Sequence, residues 1–408
     1  MNTPADRGSR PLDVHAADDV PGRQRHDAPG EPFVVLFGTY DTATHPRVLV
    51  LAQGLRALGA TVVECNAPLG IGTAERVAAL RQPWRAIPLS VRLGRRWWRL
   101  ARAARALRPG RGGPDVDAVV VGYLGLFDIH LARLLFRSVP LVLDHMAPAG
   151  DTAADRRLGG GGRRRLLRAV DRAATARADV VVADTSEHRD ALPGPVRSRT
   201  VICPVGAADA WFAAGAAASP PDADGPLRVV FFGLYTPLQG APVIGAAAAL
   251  LAGRPVQFTM IGHGQDEAAT RRAAAGADVR WCSWAGAAEL PALVAGHDVC
   301  LGIFGTGAKA ARVVPNKIFQ GAAAGCAIVT SGSAPQRRAF GTAAVFVPPG
   351  DPAALAAALD RLASDRVELA RMRAAGRDLA QRDFTPARAA APLWPWITGA
   401  TTITGAAT

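Results

Sequence analysis

Residues 297–331, HDVCLGIFGTGAKAARVVPNKIFQGAAAGCAIVTS, contain the pattern that decides the fold. The apolar run at 299–303 predicts a strand, and a glycine-bearing loop follows it. A short helix is expected next, with Pro315 at its first position and Gly325 just past its end. A second apolar strand at 327–330 completes the unit. The stretch therefore predicts one strand–helix–strand unit of a parallel sheet.

Three cations, Lys309, Arg312 and Lys317, lie within a few residues of the start of this predicted helix. The first N–H groups of a helix have no partner inside the helix and carry partial positive charge, which favours a bound anion. The segment therefore predicts a site for the phosphates of a nucleotide. A solvated basic loop before an ordinary strand–helix–strand unit explains the same residues about equally well.

The run LGIFG, followed by KA, RVVPNKIFQGAAAG and SGSAPQRRAF, resembles the donor-binding motif of retaining family-4 (group 1) glycosyltransferases of the GT-B fold. Within that family it is similar to a bacterial subgroup with PLxG and KAxRVxPNK loops. The resemblance implies that Gln320 and Arg312 stand where the family has two acidic residues, one for the donor ribose and one for the donor sugar. A glutamine can still hydrogen-bond a ribose hydroxyl. Asn316, at the start of the same helix, is a further expected donor contact.

Length and composition bound the class of protein. A chain of 408 residues fits two α/β domains better than one core. The net charge of +13 predicts an anionic partner, such as a nucleotide sugar or an anionic lipid surface. The usual nucleic-acid signatures are absent from the sequence, so no nucleic-acid partner is expected. The five cysteines include no CxxC pair and are expected to be small buried side chains in a reducing compartment.

A pattern of strand, glycine turn and helix begins at two places in the chain. The first strand is at 33–37, before Gly38, and the second is at 227–232, before Gly233. Two openings predict an α/β protein with two Rossmann-like domains whose parallel sheets face a cleft, which is the GT-B plan. The expected boundaries are a disordered tail at 1–31, an acceptor-side domain at 32–206, a linker at 207–226, a donor domain at 227–385 and a segment at 386–408 that returns to the first domain.

The glycine turns supply most other donor-site candidates. By position in the family, the first loop implies contacts from Gly38, Thr39 and Arg47. The turn FFGLYTPLQGAPVI implies contacts from Gly233, Gln239 and Gly240, and most relatives carry an arginine and a lysine where this chain has Leu234 and Gln239. Glycosyl transfer needs positive charge on the departing diphosphate, so Lys309, Arg312 and Lys317 are expected to supply it. The remaining candidates are Gly262, Gly264, Gly305 and, for the base, Trp284, whose alternative role is core packing.

Two further features leave alternatives open. His130, on a predicted helix, is a candidate catalytic residue, because relatives carry a polar residue nearby, where this chain has Leu126; a helix-face histidine is the alternative. At 92–108, apolar and arginine residues fall on opposite arcs of a predicted helix. That pattern is typical either of a core-packed helix or of one lying on an anionic membrane surface.

The prediction is a metal-independent retaining glycosyltransferase, with no cofactor, that moves a sugar from a nucleotide-diphosphate sugar to a lipid-linked glycan or a small metabolite. The polar N-terminus and the lack of a spanning apolar run predict a cytoplasmic location, with membrane association through 92–108 as the peripheral alternative. Two other readings stay open: a nucleotide-sugar epimerase, and a catalytically silent GT-B subunit that binds or scaffolds.

Overall fold

The computed structural model describes residues 30–42, 45–70, 86–107, 114–122, 125–146, 161–219, 222 and 224–400. Residues 32–408 form one compact unit, and its described part contains two six-stranded parallel sheets. We call the part with the first sheet the first lobe and the part with the second sheet the second lobe. The tail predicted at 1–31 lies, apart from its last two residues, outside the described residues.

The first sheet has the order β2-β1-β3-β4-β5-β6. Its strands are β1 (Phe33–Gly38), β2 (Thr61–Asn66), β3 (Ala118–Val121), β4 (Leu141–Asp144), β5 (Val180–Ala183) and β6 (Thr200–Ile202). The helices of this lobe are α1 (Pro46–Ala57), α2 (Ala86–Ala104), α3 (Asp128–Leu135), α4 (Gly161–Arg177), α5 (Ser186–Asp190) and α6 (Gly194–Arg197). Four of these strands, β1, β3, β4 and β5, are buried along their whole length, as expected for a parallel sheet covered on both faces.

The second sheet has the order β12-β11-β10-β7-β8-β9. Its strands are β7 (Leu227–Phe232), β8 (Val256–Ile261), β9 (Val279–Cys282), β10 (Val299–Leu301), β11 (Ala327–Ser331) and β12 (Ala344–Val347). Before and between them lie α7 (Asp209–Ala217), α8 (Ala241–Leu250), α9 (Glu267–Ala273), α10 (Leu290–Ala295), α11 (Asn316–Ala323) and α12 (Ala334–Phe340). After them come α13 (Pro352–Ser364), α14 (Arg366–Asp383), α15 (Pro386–Ala390) and α16 (Trp394–Ile397), with short 3-10 turns at Gly341–Ala343 and Ala391–Leu393.

The strand–helix–strand unit of residues 297–331 forms as predicted, with small shifts at its ends. Pro315 is the capping residue just before α11 and not its first residue. Gly325 follows the helix with a φ of 82°, in the left-handed region where a side chain would be strained. The predicted strand at 299–303 is shorter, because the backbone leaves the sheet after Leu301 to form the loop that leads to α11.

The segment predicted as a linker contains a helix. Alanine-rich α7 occupies Asp209–Ala217, and its Trp211 stacks on Phe232 of the second sheet with ring centroids 5.6 Å apart. A glycine of the same helix, Gly215, packs so closely on the end of α11 that a Cβ would overlap the carbonyl oxygen of Ala323. The Ala-rich composition that suggested a linker therefore forms a helix packed on the second lobe.

The end of the chain packs on the first lobe. A Cβ on Gly54 of α1 would overlap the carbonyl oxygen of Pro386, so α1 and α15 lie in backbone contact. Leu393 and Ile397 are buried in the same cluster as Val34 and Leu51 of the first lobe. The last two described helices therefore belong to the core of the first lobe.

Two smaller findings concern the cysteines and the bilayer. The five cysteines are free thiols, and four of them are buried; Cys282 is half-buried. Within the described ranges, each helix is too short or too polar to span a bilayer.

Close packing of α1 on α15 makes Gly54 sensitive to substitution. We expect Gly54→Ala to lower the free energy of unfolding by about 1–3 kcal/mol, because the added methyl group meets backbone that cannot move aside. Gly94→Ala is the matched control, since a Cβ there meets no atom within 4 Å. It should raise stability by about 0.5–1 kcal/mol through helix propensity. Urea unfolding followed by circular dichroism measures both, and equal effects would contradict the α1–α15 contact.

Candidate functional site

The order of the second sheet places a candidate ligand site at its carboxyl edge. The chain turns to opposite sides of β7, which has β8 on one side and β10 on the other. Ligands of open α/β sheets bind at such a point, outside the carboxyl ends of the strands. The loops that follow β7 and β10 meet there, since the N–H of Phe304 donates to the carbonyl of Gln239 over 3.0 Å.

Glycines let these loops touch backbone to backbone. Gly240 caps α8 with a φ of 65°, and a Cβ there would lie 2.5 Å from the carbonyl carbon of Phe304. A Cβ on Gly305 would overlap the carbonyl oxygen of Pro237, and one on Gly262 would overlap that of Gly233. Gly264 approaches Tyr235 in the same way. The structure therefore brings Gly233, Gly240, Gly262, Gly264 and Gly305, all predicted from the sequence, into one packed set of loops.

Lys317 lies buried beneath this set of loops. Its side chain is 5% exposed, and its Nζ donates to Oε1 of Gln239 over 2.5 Å. The same Nζ lies 3.7 Å from the centre of the Phe231 ring. Burial lowers the pKa of Lys317 from 10.5 to about 7, and no carboxylate of the described residues offsets that effect. An ammonium group at this position lacks a counter-ion among the described residues, so an anionic ligand would stabilise it.

Gln239 and Lys317 were separate sequence candidates, and the structure joins them. Gln239 stands in the first loop of the lobe, while Lys317 belongs to the first turn of α11. A Cβ on Gly233 would lie 3.3 Å from the ammonium nitrogen, so a glycine keeps that side of the lysine open. The Gln239 amide, the Lys317 ammonium and the loop at Gly233 therefore lie together at the carboxyl edge of the second sheet.

The other candidates of the same segment have different surroundings. Lys309 and Arg312 are half-buried in the loop before α11 and take part in further contacts. Asn316 opens α11, and Gln320 is buried with 6% exposure one turn later. Trp284, predicted to be near the base or in the core, is 62% exposed and is not a core residue. The structure thus places Gln320 beside Lys317 on α11 and leaves Trp284 at the surface.

In the first lobe, a buried carboxylate fixes the loop after β1. Asp128, at the start of α3, accepts hydrogen bonds from the backbone N–H of Thr39 (2.7 Å), from its hydroxyl (2.8 Å) and from the Trp97 indole (2.8 Å). Gly38 must be small, because a Cβ there would lie 3.1 Å from the same carboxylate. Sequence reasoning named His130 on this helix and gave Asp128 no role.

Arg47, predicted to contact the sugar donor, is buried inside the first lobe. Its side chain is 1% exposed and donates to the carbonyls of Cys203 (3.0 Å) and Pro204. It also approaches Asp144 at 3.4 Å. Burial raises the pKa of Asp144 although Arg47 opposes the shift. Because its donors are occupied by protein acceptors, Arg47 ties α1 to the ends of β4 and β6.

A group of buried polar residues lies at the carboxyl ends of β4 and β5. It comprises Asp144, His145, Asp184, Thr185 and His188. His188 Nδ1 lies 2.5 Å from Asp184, and His145 Nε2 lies 3.5 Å from Asp171 without a hydrogen bond to any described residue. Sequence reasoning assigned none of these residues. The available signal was a polar pair directly after each of two apolar strands, DH at 144–145 and DT at 184–185, since such ends meet at one edge.

The two lobes touch at this edge. The Thr185 hydroxyl donates to the carbonyl of Arg312 over 2.9 Å. Arg338 of α12 forms a salt bridge of 2.7 Å with Glu187 and also donates to Ser186 over 2.9 Å. The loop that carries Arg312 is therefore held against the first lobe, and its position depends on how the lobes meet.

His130 lies on α3, two residues beyond Asp128. Burial, and then the positive charge of nearby Arg177, lower the pKa of His130, so the ring is neutral at pH 7. Its catalytic role stays a prediction. Among the described residues, no group of three or more His, Cys, Asp or Glu side chains is arranged to hold a metal ion.

The glycine loops, Lys317 and α11 fall within a recognisable domain. Residues 226–365 match the family model of glycosyl transferases, group 1. The match covers the whole second sheet, including the loops around Lys317, so this part of the chain is similar to group 1 glycosyltransferase domains. A search against curated proteins gave no significant match for the chain.

Solved structures extend the likeness to both lobes. A sucrose-phosphate synthase from Thermosynechococcus elongatus superposes with a TM-score of 0.65 at 16% identity, covering 91% of this chain and 100% of the other. A UDP-forming α,α-trehalose-phosphate synthase from Burkholderia vietnamiensis superposes with a TM-score of 0.62 at 14% identity, covering 92% of this chain and 98% of the other. Anabaena HepE in complex with UDP-glucose superposes with a TM-score of 0.61 at 12% identity, covering 90% of this chain and 99% of the other. At these identities the likeness shows the fold, and the predicted GT-B architecture with two parallel sheets is confirmed.

The buried ammonium of Lys317 should make the stability of the protein depend on pH. Lys317 has a folded pKa of about 7 against 10.5 when unfolded, so its charge opposes folding fully below pH 7. That cost is relieved as the pH rises from 7 towards 10.5, where the folded lysine is already neutral. We expect Lys317→Met to be more stable than the parent below pH 7, by on the order of 3 kcal/mol.

Urea unfolding of both proteins across this pH range measures the effect. The difference in free energy of unfolding between Lys317→Met and the parent should become smaller as the pH rises from 7 towards 10.5. A gap that is constant with pH would show that the methionine acts through packing alone. A parent that is the more stable protein below pH 7 would contradict the uncompensated burial of the ammonium.

Proposed function

We propose that the chain is a retaining, family-4 glycosyltransferase that transfers a sugar from a nucleotide-diphosphate sugar to an acceptor bound on the first lobe. The match of residues 226–365 to group 1 glycosyltransferases supports the reaction class. Fold neighbours include a UDP-forming synthase and a UDP-glucose complex, which supports a nucleotide-sugar donor. Neither observation identifies the sugar, and the proposal extends to nucleotide-diphosphate sugars as a class.

The observation that carries the proposal is the buried, uncompensated Lys317 beside Gln239. A diphosphate placed over Gly233 would meet the ammonium, the amide and the first N–H groups of α11 together. Most relatives supply two cations from the first loop, and here that loop has Leu234 and Gln239. The ammonium of Lys317, on α11, contacts the side chain of Gln239. It can therefore replace a cation that the loop after β7 lacks.

The chemistry assigned to this group is stabilisation of the leaving diphosphate. When the bond between the anomeric carbon and the diphosphate oxygen breaks, negative charge grows on that oxygen and positive charge on the sugar. A dianionic diphosphate raises the pKa of a neighbouring ammonium, so Lys317 would be protonated in the complex. Lys309 and Arg312 lie on the loop before α11 and are proposed to complete the positive field.

Lobe contact is proposed to limit hydrolysis of the donor. Thr185 holds the loop of Arg312, and Glu187 holds Arg338, so closure of the lobes and placement of that loop are linked. Closed lobes exclude water from the sugar and leave the acceptor hydroxyl as the nucleophile. No metal is assigned to the reaction, because the cations of the chain can supply the charge.

A second candidate, a catalytically silent binding subunit, is favoured by one specific feature. Gln320 and Arg312 occupy positions where the family has acidic residues, so contacts to the ribose and sugar differ. Release of nucleoside diphosphate from a panel of nucleotide sugars decides between the two. Release that depends on an added acceptor supports a transferase, whereas binding of nucleotide without any release supports the silent subunit.

Nucleotide binding should depend on Lys317. We expect Lys317→Met to weaken binding of the preferred nucleoside diphosphate by roughly 10- to 100-fold, as loss of a hydrogen bond to a charged group implies. Arg272→Met is the matched control, because it removes one exposed positive charge at the far end of α9. Isothermal titration calorimetry with UDP, GDP, ADP and dTDP measures the change. Equal affinity of the parent and Lys317→Met for the nucleoside diphosphate would contradict the proposed diphosphate site.

Binding should also take up a proton above pH 7. Free Lys317 is mostly neutral there, because its pKa is about 7, and the bound diphosphate requires the charged form. Affinity is therefore expected to fall as the pH rises above 7. Calorimetry in two buffers of different ionisation enthalpy measures the uptake, which Lys317→Met should abolish. Uptake that persists in the variant would assign the proton to another group.

A further inference from the structure

A cavity of 380 Å³ in the first lobe is lined by four arginines of one helix. Arg92, Arg95, Arg96 and Arg99 of α2 face it, together with Leu69 and Gly70, which follow β2. Its volume lies within the range of small-ligand sites and exceeds what one phosphate group requires. The proposed donor site does not use this cavity.

The helix that carries the arginines is anchored, so the cavity has a fixed wall. Leu100 and Ala104 are buried in the core of the first lobe, with 1% and 0% exposure. Trp97 packs against the same core and donates its indole N–H to Asp128 over 2.8 Å. Because one face of α2 is bound to the lobe, the arginine face is held towards the cavity.

Three of the four arginines of this cavity have no acidic partner among the described residues. Arg95, Arg96 and Arg99 form no ion pair with a described aspartate or glutamate. Arg95 and Arg99 are four residues apart on the helix, a spacing at which like charges repel. The guanidinium fork matches the oxygens of phosphate groups, and several forks around one cavity fit more than one phosphate oxygen. A polyphosphorylated or phosphorylated ligand would therefore stabilise the arrangement.

The cavity adjoins the loop that follows β1. The N–H of Leu69 donates to the carbonyl of Thr39 over 3.1 Å, and the N–H of Ala67 donates to the carbonyl of Gly38 over 3.1 Å. Asp128 binds both Thr39 and Trp97, so the same loop is tied to α2. A ligand held by the arginines would thus lie next to the carboxyl edge of β1.

We propose that this arginine cavity binds the phosphate or diphosphate group of the acceptor. The acceptor class is then a phosphorylated one, and this rests on the proposed transferase function. Two sources share the chemistry: a soluble sugar phosphate and the phosphate headgroup of a membrane lipid. Ile87, Val91 and Trp98 form an exposed apolar stripe on α2, with exposures of 68%, 53% and 64%, which would contact a membrane if the source is a lipid.

The test uses inorganic pyrophosphate as the probe and the full chain. Pyrophosphate is titrated into protein saturated with UDP, so that the donor site is occupied. The variant is the triple substitution Arg95→Gln, Arg96→Gln and Arg99→Gln, which keeps good helix formers. The control is Arg165→Gln, Arg168→Gln and Arg172→Gln on α4, which removes the same charge from exposed positions of the same lobe.

We expect the α2 triple variant to bind pyrophosphate roughly tenfold or more weakly, because each lost charge-assisted bond is strong, and to bind UDP unchanged. The α4 triple variant should behave like the parent. Equal pyrophosphate binding by both triple variants would overturn the cavity proposal. If no nucleotide binds to any form, titration without UDP still measures pyrophosphate, so failure of the donor proposal is seen separately.

A second arm identifies the source of the phosphate. Co-sedimentation with vesicles of phosphatidylcholine and phosphatidylglycerol, against vesicles of phosphatidylcholine alone, tests a lipid source. Binding to the anionic vesicles that is lost both in the α2 triple variant and in Trp98→Ser supports a lipid-held phosphate. Pyrophosphate binding that depends on the arginines without vesicle binding supports a soluble acceptor.

Discussion

A buried lysine without a carboxylate partner among the described residues is the constraint around which the second lobe is arranged. Lys317 contacts only neutral groups, the amide oxygen of Gln239 and the ring of Phe231, and these do not offset the cost of burying its ammonium. The surrounding loops nevertheless leave it room, because Gly233 has no side chain to cover it. Such a group lowers the stability of the free protein and gains a partner only from a ligand, which is typical of a functional site.

The position of this lysine also explains how the chain can differ from the pattern it resembles. The first loop of the second lobe has Leu234 and Gln239 in place of two cations. Charge can reach the same point from another element, because α11 begins directly beneath that loop. A residue of α11 therefore lies beside Gln239 although 78 positions separate the two in sequence, and the proposed replacement of the loop cations depends on this contact.

Much of the fold was predictable from local pattern. The apolar run of β7 was located at its observed bounds, and Gly325 was placed correctly past α11, because burial on both faces and a left-handed turn leave clear marks in a sequence. The site was less predictable. Arg47 has a cleft-facing position in the sequence pattern but a buried guanidinium, and Asp128 and His145 reach their sites through pairings of distant strands. Such contacts are set by tertiary packing, which a single sequence does not reveal.

The contact between Gly54 and Pro386 has a consequence for biosynthesis. The outer layer over α1 is made from α15 and α16, which are synthesised only after both sheets. The amino-terminal half of the chain therefore emerges with an apolar surface that its own residues cannot cover. Until α15 and α16 have been synthesised, that surface stays open to chaperones or to self-association, and a first lobe expressed without these helices would lack a layer.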